Sequence, residues 1–231
     1  MENRTDILVI APHPDDAEFC TAGAVAGWTH EGKQVVYVLC TSGEKGTSDR
    51  TVQPRDLAGV REREQVAAAK IVGVRDVVFM RMPDQGLEDT PDFRKRIVRL
   101  IRTYRPDTVV TCDPYRRYFC HRDHRITGQA VLDAVYPLAR DHLSYADLLE
   151  EGLEPHKVRE ILFWEAEDIN HRIDIADTFQ RKLEALCCHE SQVKGFGSPD
   201  IGTWLREYCQ KMARGSDFEL AEAFHRATFP P

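Results

Sequence analysis

The sequence lacks the features that mark several common classes of protein. Its seven cysteines are an odd number without a C-x-x-C pair, so neither a thiolate zinc site nor a redox dithiol is indicated, and we expect reduced thiols. No apolar run approaches the roughly 20 residues of a membrane span, and the first thirty residues do not read as a secretory signal. We therefore expect a cytoplasmic protein with no membrane partner.

Basic residues are also fewer than acidic residues. The chain has 31 Lys and Arg residues against 38 Asp and Glu residues, for a formal net charge of -7. Proteins that neutralise phosphates usually carry a clustered basic excess, so we expect no nucleic-acid partner and interpret Arg94–Arg96 as a solvated helix surface. The G-x-G-x-x-G fingerprint is missing as well. Two aspartates follow the first predicted strand instead, which disfavours a bound pyrophosphate.

What the sequence does contain is an alternation of strand-like and helix-like segments. With 231 residues and 42% hydrophobic content, the chain can bury one sizeable core, and we expect a single domain over 1–231. Apolar runs predict strands near 6–10, 34–40, 76–80, 107–112 and 158–164. Amphipathic stretches predict helices near 17–31, 56–72, 91–104 and 124–138. This order predicts an α/β fold, a Rossmann-like doubly wound and mostly parallel sheet flanked by helices.

The pattern changes in the last part of the chain. After a core over 1–165, the segment 166–231 predicts helices near 176–190 and 201–214, and residues 218–225 suit either a strand or a helix. Three aromatic residues in this segment fit either the core or a subunit interface, and they are Phe196, Trp204 and Phe229.

Two polar loops carry the candidate chemistry. The stretch APHPDDAEF (11–19) follows the first strand, and DPYRRYFCHRDHR (113–125) follows the fourth. In the common doubly wound order these two strands are neighbours, and ligands bind at their carboxyl ends. A helix cap would account for Asp15 or Asp16, but it leaves His13 and the second of two mutually repelling carboxylates unexplained.

A divalent metal ion fits these parts better than a capped helix does. His13 and Asp16 lie three residues apart on a turn, and a histidine from the second loop would complete a set of two imidazoles and one carboxylate. Three protein ligands leave a position for water, which is typical of a catalytic zinc site. Asp15, next to a ligand, is the candidate base that takes the proton of this water.

At these residues the sequence resembles a known family. Residues 12–16 (PHPDD) and 121–124 (HRDH) are similar to the paired motifs of the LmbE-like, PIG-L superfamily of zinc-dependent N-deacetylases. Supporting similarity extends along nearly the whole chain, in TSGEKG, REREQVAAAKIVGV, MPDQGL, LEALCCHESQ and AEAF. Within the superfamily, the pattern most resembles the enzymes that deacetylate GlcNAc-malate in bacillithiol synthesis, with the mycothiol-pathway and diacetylchitobiose deacetylases more distant.

The resemblance implies a hydrolase that removes acetyl from a small N-acetylglucosamine-containing substrate. It implies Zn²⁺ as the cofactor, although Fe²⁺, Mn²⁺ or Co²⁺ suit the same donors, and it implies a homo-oligomer. The metal ligands would be His13, Asp16 and His124.

The resemblance also implies the catalytic residues. Asp15 would be the general base, and His121 would stabilise the oxyanion and protonate the leaving amine, with Asp123 orienting its imidazole. Arg61 matches a family arginine near the substrate, but it is equally suited to a helix salt bridge with Glu64. Glu44 is a candidate partner of sugar hydroxyls.

One residue departs from the family pattern. Arg122 stands where the second motif usually has proline, so the loop loses a fixed φ and gains a charge. Together with the neighbouring Arg116 and Arg117, it would suit a substrate that bears a carboxylate or a phosphate.

Several other functions are compatible with parts of the pattern. Hydrolysis of another amide or of a phosphoester would use the same activated water, although two-metal phosphatases generally need more carboxylates. Two histidines and one carboxylate also form the triad of non-haem iron oxygenases, which need no free carboxylate base. A binding protein with a degenerate site is compatible with the composition, but here every catalytic role has a residue.

Overall fold

The computed structural model describes residues 4–194 and 200–230, and seven strands within them form one sheet. The strands are β1 Ile7–Ala11, β2 Val35–Thr41, β3 Asp76–Met82, β4 Thr108–Cys112, β5 Glu160–Trp164, β6 His171–Asp174 and β7 Ala221–Thr228. The helices are α1 Asp16–Cys20, α2 Ala22–His30, α3 Pro54–Ile71, α4 Pro91–Tyr104, α5 Arg122–Asp133, α6 Asp147–Glu150, α7 Phe179–Cys187, α8 Glu190–Val193 and α9 Ile201–Ala213, and a π-helical turn spans Ala134–Leu138.

The sheet has the order β3-β2-β1-β4-β5-β7-β6. β1 pairs in parallel with both β2 and β4, and β5 pairs in parallel with β4, whereas β7 is antiparallel to β5 and to β6. The predicted doubly wound, mostly parallel sheet is therefore confirmed. The winding reverses between β1 and β4, so the loops after these two strands emerge side by side.

The alternation of side chains along the central strands builds a core on each face of the sheet. Leu8 and Ile10 of β1 face the layer that contains α4 and α5, while Ile7 and Val9 face the layer that contains α2, α3 and α7. Every residue of β1 and β2 is buried, because helices cover both faces. The predicted central strands were recognisable for this reason, as continuous apolar runs.

The helix expected over 124–138 ends at Asp133, where a π-helical turn with a non-helical Tyr136 follows. Two further differences from the sequence predictions involve strand β7. The helix expected over 17–31 is interrupted at Thr21, and the carboxylate of Glu222 accepts hydrogen bonds from the backbone N–H groups of Gly23 and Ala24 at the start of α2. The ambiguous stretch 218–225 contributes to strand β7, and the short strand β6 beside it was not predicted. Both differences depend on contacts between residues that are distant in sequence.

The three aromatic residues of the last segment can now be placed in part. Trp204 is half-buried, lies edge-on to Phe19 and stacks on Tyr208, while the half-buried Phe229 stacks on Tyr136. Phe196 lies outside the described residues. Oligomerisation stays a prediction.

Two further observations concern the chain as a whole. All seven cysteines are free thiols. Over residues 4–194 and 200–230, none of the helices combines the length and the apolar character that crossing a membrane requires.

A glycine fixes how closely α5 approaches the end of β4. A Cβ added at Gly128 would lie 2.4 Å from the carbonyl oxygen of Cys112, which is backbone and cannot move aside. We expect Gly128→Ala to lower the free energy of unfolding by about 1–3 kcal/mol. The matched control is Gly27→Ala in α2, where a Cβ meets nothing within 4 Å, and it should stabilise by roughly 0.5–1 kcal/mol. Urea unfolding would measure both, and equal effects of the two variants would contradict this packing argument.

Candidate metal centre and active site

The loops after β1 and β4 bring three imidazoles together. The ring centroid of His13 lies 4.9 Å from that of His121 and 5.5 Å from that of His124. His13 belongs to the loop after β1, and the other two histidines lie at the start of α5. The topology thus joins residues about a hundred positions apart at the carboxyl edge of the sheet.

Asp16 lies between two of these histidines. Its Oδ2 is 3.3 Å from Nδ1 of His13, and its Oδ1 is 3.2 Å from Nε2 of His124. Two ligand atoms that each lie about 2.0–2.1 Å from one tetrahedral ion are about 3.3 Å apart. Each separation matches this value through a different oxygen of Asp16, and the donors are the imidazole nitrogen and carboxylate oxygen that suit zinc.

The second nitrogen of each imidazole also faces a carboxylate. Nε2 of His13 lies 3.2 Å from Asp84 Oδ1 and 3.3 Å from Asp123 Oδ2, and Nδ1 of His124 lies 3.6 Å from Glu165 Oε2. Metal-ligating histidines typically turn their second nitrogen to such an acceptor, which fixes the ring. The residues present therefore fit a divalent cation.

Other sets of donor atoms are also close together. Potential ligand atoms lie within 4.8 Å of one another in the triplet His13, His121 and His124 and in the triplet His13, Asp84 and Asp123. In the second triplet the carboxylates are already engaged: Asp84 accepts from the backbone N–H of Lys45, and Asp123 accepts from those of Gln85 and Leu87. These contacts fix both carboxylates beside Nε2 of His13, the ring nitrogen that faces away from Asp16.

The carboxylates change the ionisation of the candidate ligands. Burial alone would lower the pKa of His13, but hydrogen bonds to Asp123, Asp16 and Asp84 outweigh it and raise this pKa to about 12. Burial likewise opposes the charge of His124, yet Asp16 raises its pKa to about 9. Burial would raise the pKa of Asp16, but the two histidines hold it well below its usual range. Protons on the imidazoles thus balance the buried carboxylates when no cation does.

Metal affinity should therefore rise with pH. Both imidazoles are protonated at neutral pH when the metal is absent, and a ligating imidazole must be neutral, so binding releases protons. Below the raised pKa values, protons compete with the metal, and we expect about a tenfold gain in affinity per pH unit for each proton released. Titration of the metal-free protein with Zn²⁺ at pH 6, 7 and 8 would measure it. An affinity independent of pH would contradict the assignment of these histidines as ligands.

Asp15 occupies an unusual backbone position beside the candidate ligands. Its φ is 98°, in the left-handed region that non-glycine residues rarely adopt. Its Oδ2 lies 3.2 Å from Arg61 Nη2, and its backbone N–H donates to Gln65 Oε1 at 3.1 Å. Burial raises the pKa of Asp15 to about 6 against the opposing charge of Arg61. This carboxylate is therefore able to exchange a proton near neutral pH.

His121 differs from the other two histidines in its surroundings. It is exposed, it caps the start of α5, and its Nδ1 accepts the backbone N–H of Asp123 at 3.2 Å. Burial of part of the ring and the positive charges of His13 and His124 lower its pKa. A neutral imidazole that accepts at Nδ1 carries its proton on Nε2, from which it donates.

The contact between Asp123 and His121 is not the one that the family resemblance implies. Asp123 reaches His121 through its backbone N–H, whereas its carboxylate is fully buried against His13 and the two backbone N–H groups described above. The carboxylate therefore orients a candidate ligand. The His121 ring is oriented by the helix terminus instead.

A cavity of about 200 Å³ opens on these groups. Its lining consists of His13, Asp15, Gly46, Arg61, Asp84, Gln85, His121 and His124. A larger cavity of about 770 Å³, lined in part by Arg105, Arg159 and Pro230, lies at the amino ends of β4 and β5. Ligands of open α/β sheets bind at the carboxyl ends, and the smaller cavity is lined by His13, His121 and His124, whose nitrogen atoms cluster.

The predicted substrate-binding residues are placed differently from one another. Arg61 is buried, lines the cavity and pairs with Asp15, whereas Glu64 accepts from the backbone N–H and the hydroxyl of Ser191. Glu44 is half-buried, and its Oε1 accepts the backbone N–H of Asp84, a residue that lines the cavity. Arg122 is exposed at the start of α5, and the described lining of the cavity includes neither Glu44 nor Arg122.

The two other arginines of the second loop are paired with acidic residues. Arg116 Nη1 lies 2.8 Å from Glu165 Oε1, and Arg117 Nε lies 2.7 Å from Glu167 Oε2. Their charges are thus already compensated within the chain. A preference for anionic substrates stays a prediction, which now rests on Arg122.

Five residues around the site were missed by the sequence analysis, namely Asp84, Gln65, Glu18, His189 and Glu165. Each contacts the site or the residues behind it from another element. Four of them lie within quoted stretches, such as MPDQGL for Asp84 and LEALCCHESQ for His189, whereas Glu165 lies in none and had no local signal.

The chain is similar to proteins of known name. Residues 8–135 match the family model PIG-L, described as GlcNAc-PI de-N-acetylase. The chain is 37% identical to the diacetylchitobiose deacetylase of Thermococcus kodakarensis, over 80% of this chain and 69% of that protein. It is 29% identical to a protein of Bacillus anthracis named "Probable N-acetyl-alpha-D-glucosaminyl L-malate deacetylase 2", over 83% of each chain. Identity is thus higher with the chitobiose enzyme, the reverse of the order that the motifs led us to expect.

A solved structure resembles this fold closely. The N,N'-diacetylchitobiose deacetylase from Pyrococcus horikoshii, complexed with its inhibitor MPG, superposes with a TM-score of 0.89. The match has 27% sequence identity and covers 98% of this chain and 85% of that chain. The similarity therefore includes the segment after residue 165 as well as the sheet.

Proposed function

The chain belongs to the PIG-L, or GlcNAc-PI de-N-acetylase, family, and from this premise we propose that it is a zinc-dependent hydrolase that removes the N-acetyl group from a small GlcNAc-containing molecule. The observation that carries the proposal is the arrangement of Asp16 between His13 and His124, with the Asp15 carboxylate, which is outside this set, in the cavity that the two histidines line. The names of the two curated relatives support an N-acetylated amino sugar as the substrate.

In this proposal His13, Asp16 and His124 hold the cation. When bound, the cation would lower the pKa of a water molecule and polarise the amide carbonyl. Zinc suits two imidazoles and one carboxylate, and Fe²⁺, Mn²⁺ or Co²⁺ are accommodated by the same donors. Asp84, Asp123 and Glu165 orient the two imidazoles, since their oxygens face the nitrogens that point away from Asp16.

The remaining residues of the cavity move protons and position the amide. Asp15 takes a proton from the attacking water, because its carboxylate is ionised and lies beside the ligand set without belonging to it. His121 donates from Nε2 to the carbonyl oxygen as negative charge develops there. Expulsion of the amine then requires a proton, which Asp15 or His121 returns.

The test measures metal content and acetate release on the same protein preparations. Protein purified without added metal is analysed for bound ions and assayed on diacetylchitobiose, GlcNAc-malate and GlcNAc, before chelation, after chelation and after addition of Zn²⁺. We expect acetate only from metal-loaded protein. His124→Ala should lose both metal and activity, whereas the control His142→Ala, at an exposed position outside the cavity, should lose neither.

Two outcomes would contradict the proposal in different ways. About one metal ion per chain without acetate from any of the three substrates would keep the metal centre and overturn the deacetylase activity on these sugars. Full acetate release from chelated, metal-free protein would overturn the role of the metal.

A further inference from the structure

A chain of buried hydrogen bonds runs inward from the backbone of Asp15. The Asp15 N–H donates to Oε1 of Gln65 at 3.1 Å, and Nε2 of Gln65 donates to Oε1 of Glu18 at 2.9 Å. The other oxygen of Glu18 lies 3.0 Å from Nε2 of His189. Gln65, Glu18 and His189 are all completely buried. This series of hydrogen bonds links the loop after β1 to α3, to α1 and to the turn before α8.

The carboxylate of Glu18 fixes which groups donate and which accept in this series of hydrogen bonds. An ionised carboxylate only accepts hydrogen bonds, so the NH₂ group of Gln65 must face Glu18. The amide oxygen of Gln65 is then the atom that faces Asp15. Nε2 of His189 donates to the second carboxylate oxygen for the same reason. Glu18 therefore prevents the Gln65 amide from turning over.

The backbone of Asp15 needs such support. Its φ of 98° is rare for a residue with a side chain, and such conformations persist where the surroundings impose them. Gln65 and Arg61 lie four residues apart on α3, and therefore on the same face of the helix. Arg61 donates to the carbonyl oxygen of Pro14 and pairs with the Asp15 carboxylate, while Gln65 receives the Asp15 N–H. One face of α3 thus holds both the Pro14–Asp15 peptide group and the Asp15 carboxylate.

We propose that Gln65 is a positioning residue for the catalytic base, held in its orientation by Glu18 and His189. This inference rests on the proposed function, because the base acts only if the chain is a hydrolase. Gln65 touches the backbone of Asp15 but does not line the cavity, as far as its described lining extends. Its effect therefore lies in where the Asp15 carboxylate points, and hence in kcat more than in KM.

The central variant is Gln65→Glu, which keeps the size of the side chain. One oxygen of the new carboxylate still accepts the Asp15 N–H, but the other one faces the acceptor-only carboxylate of Glu18. The two groups repel, and the side chain leaves its position. We expect kcat to fall by about 10- to 100-fold with KM nearly unchanged, as a misplacement of reacting groups produces. Gln180→Glu is the matched control, because Gln180 donates to Glu184 on the exposed surface of α7.

A reciprocal double variant tests which of the two side chains at positions 65 and 18 donates and which accepts. Combining Gln65→Glu with Glu18→Gln exchanges acceptor and donor while the summed charge is unchanged. The introduced carboxylate accepts from Asp15 and from the introduced amide, whose oxygen still accepts from His189. We expect the double variant to recover most of the wild-type kcat. A loss of kcat in the single variant without recovery in the double variant would overturn the proposed orientation.

A second measurement does not depend on catalysis. In metal-free protein, the amide hydrogen of Asp15 should exchange with solvent at least about tenfold faster in Gln65→Met than in wild type, because its acceptor is lost. The N–H of Glu18, which donates to the Asp15 carbonyl, is followed as a neighbouring reference in the same spectra. Unchanged exchange at Asp15 would overturn the inference even if the enzyme is active. Faster exchange in a protein that releases no acetate would retain the positioning contact and reject the proposed function instead.

Discussion

Replacing Asp15 with asparagine should lower kcat for deacetylation by about 10²- to 10⁴-fold while the metal stays bound, since general-base catalysis contributes about that much. Asparagine has the shape of aspartate and keeps the backbone N–H that donates to Gln65. It also keeps an oxygen that can accept from Arg61. The substitution therefore removes the charge and the proton affinity of the carboxylate, and little else.

The measurement is acetate release at saturating substrate, together with the metal content of each preparation. Asp217→Asn is the control, because Asp217 is exposed before β7 and is not among the residues that line the cavity. A variant that keeps one metal ion per chain and the full rate would show that another group removes the proton. A variant that loses the metal would show that Asp15 is a ligand, which the present assignment denies.

Asp15 could be identified from the sequence because the two polar loops follow neighbouring strands of the sheet. Each of the two polar loops begins directly after a continuous apolar run, and such runs are recognisable because buried parallel strands have no polar face. The neighbouring positions of β1 and β4 then followed from the alternation of strands and helices. The residues of the two motifs could therefore be brought together without any coordinates.

The groups that surround the ligands could not be predicted in the same way. Asp84 follows the edge strand β3, whose residues are half-buried or exposed, and taken alone it is an ordinary loop aspartate. Gln65 lies in a helix rich in charged residues, where it has the sequence signature of a surface position. Its complete burial results from α7 and α8 packing against α3. Local patterns carry no information about such contacts.

The same limit explains the end of the sheet. β6 has only four residues and is polar, so nothing in its own sequence marks it as a strand. It forms because β7 offers a free edge, and β7 is itself placed by pairing with β5. The interruption of the first helix at Thr21 likewise depends on Glu222, two hundred residues further along the chain.

Glu222 is also the centre of the second prediction with a large effect. Its Oε1 lies 2.5 Å from Nζ of Lys182, and both side chains are almost completely buried. The same carboxylate accepts from the N–H groups of Gly23 and Ala24, and Lys182 also donates to the carbonyl of Phe19. Burial opposes the charge of Lys182, but Glu222 raises its pKa, so the ammonium stays charged at neutral pH.

Breaking this pair from one side should be strongly destabilising. We expect Lys182→Met or Glu222→Gln to lower the free energy of unfolding by about 3–5 kcal/mol, because each leaves an uncompensated charge in the interior. Glu222→Gln additionally replaces one of the two oxygens that accept from the start of α2 by an NH₂ group, which cannot accept. Urea unfolding of each variant, with the metal removed from all samples, would measure these losses.

The double variant measures how much of the loss in unfolding free energy comes from the interaction between the two charges. Removing both charges leaves neither one uncompensated, so the loss in Lys182→Met combined with Glu222→Gln should be smaller than the sum of the two single losses. Lys194→Met, in the exposed pair of Lys194 with Glu190, should leave the urea midpoint unchanged. Strict additivity in the buried pair would show that the two charges do not depend on each other. The last strand would then be anchored to α2 by the hydrogen bonds of Glu222 alone, and the stability of the elements beneath the metal centre would not require Lys182.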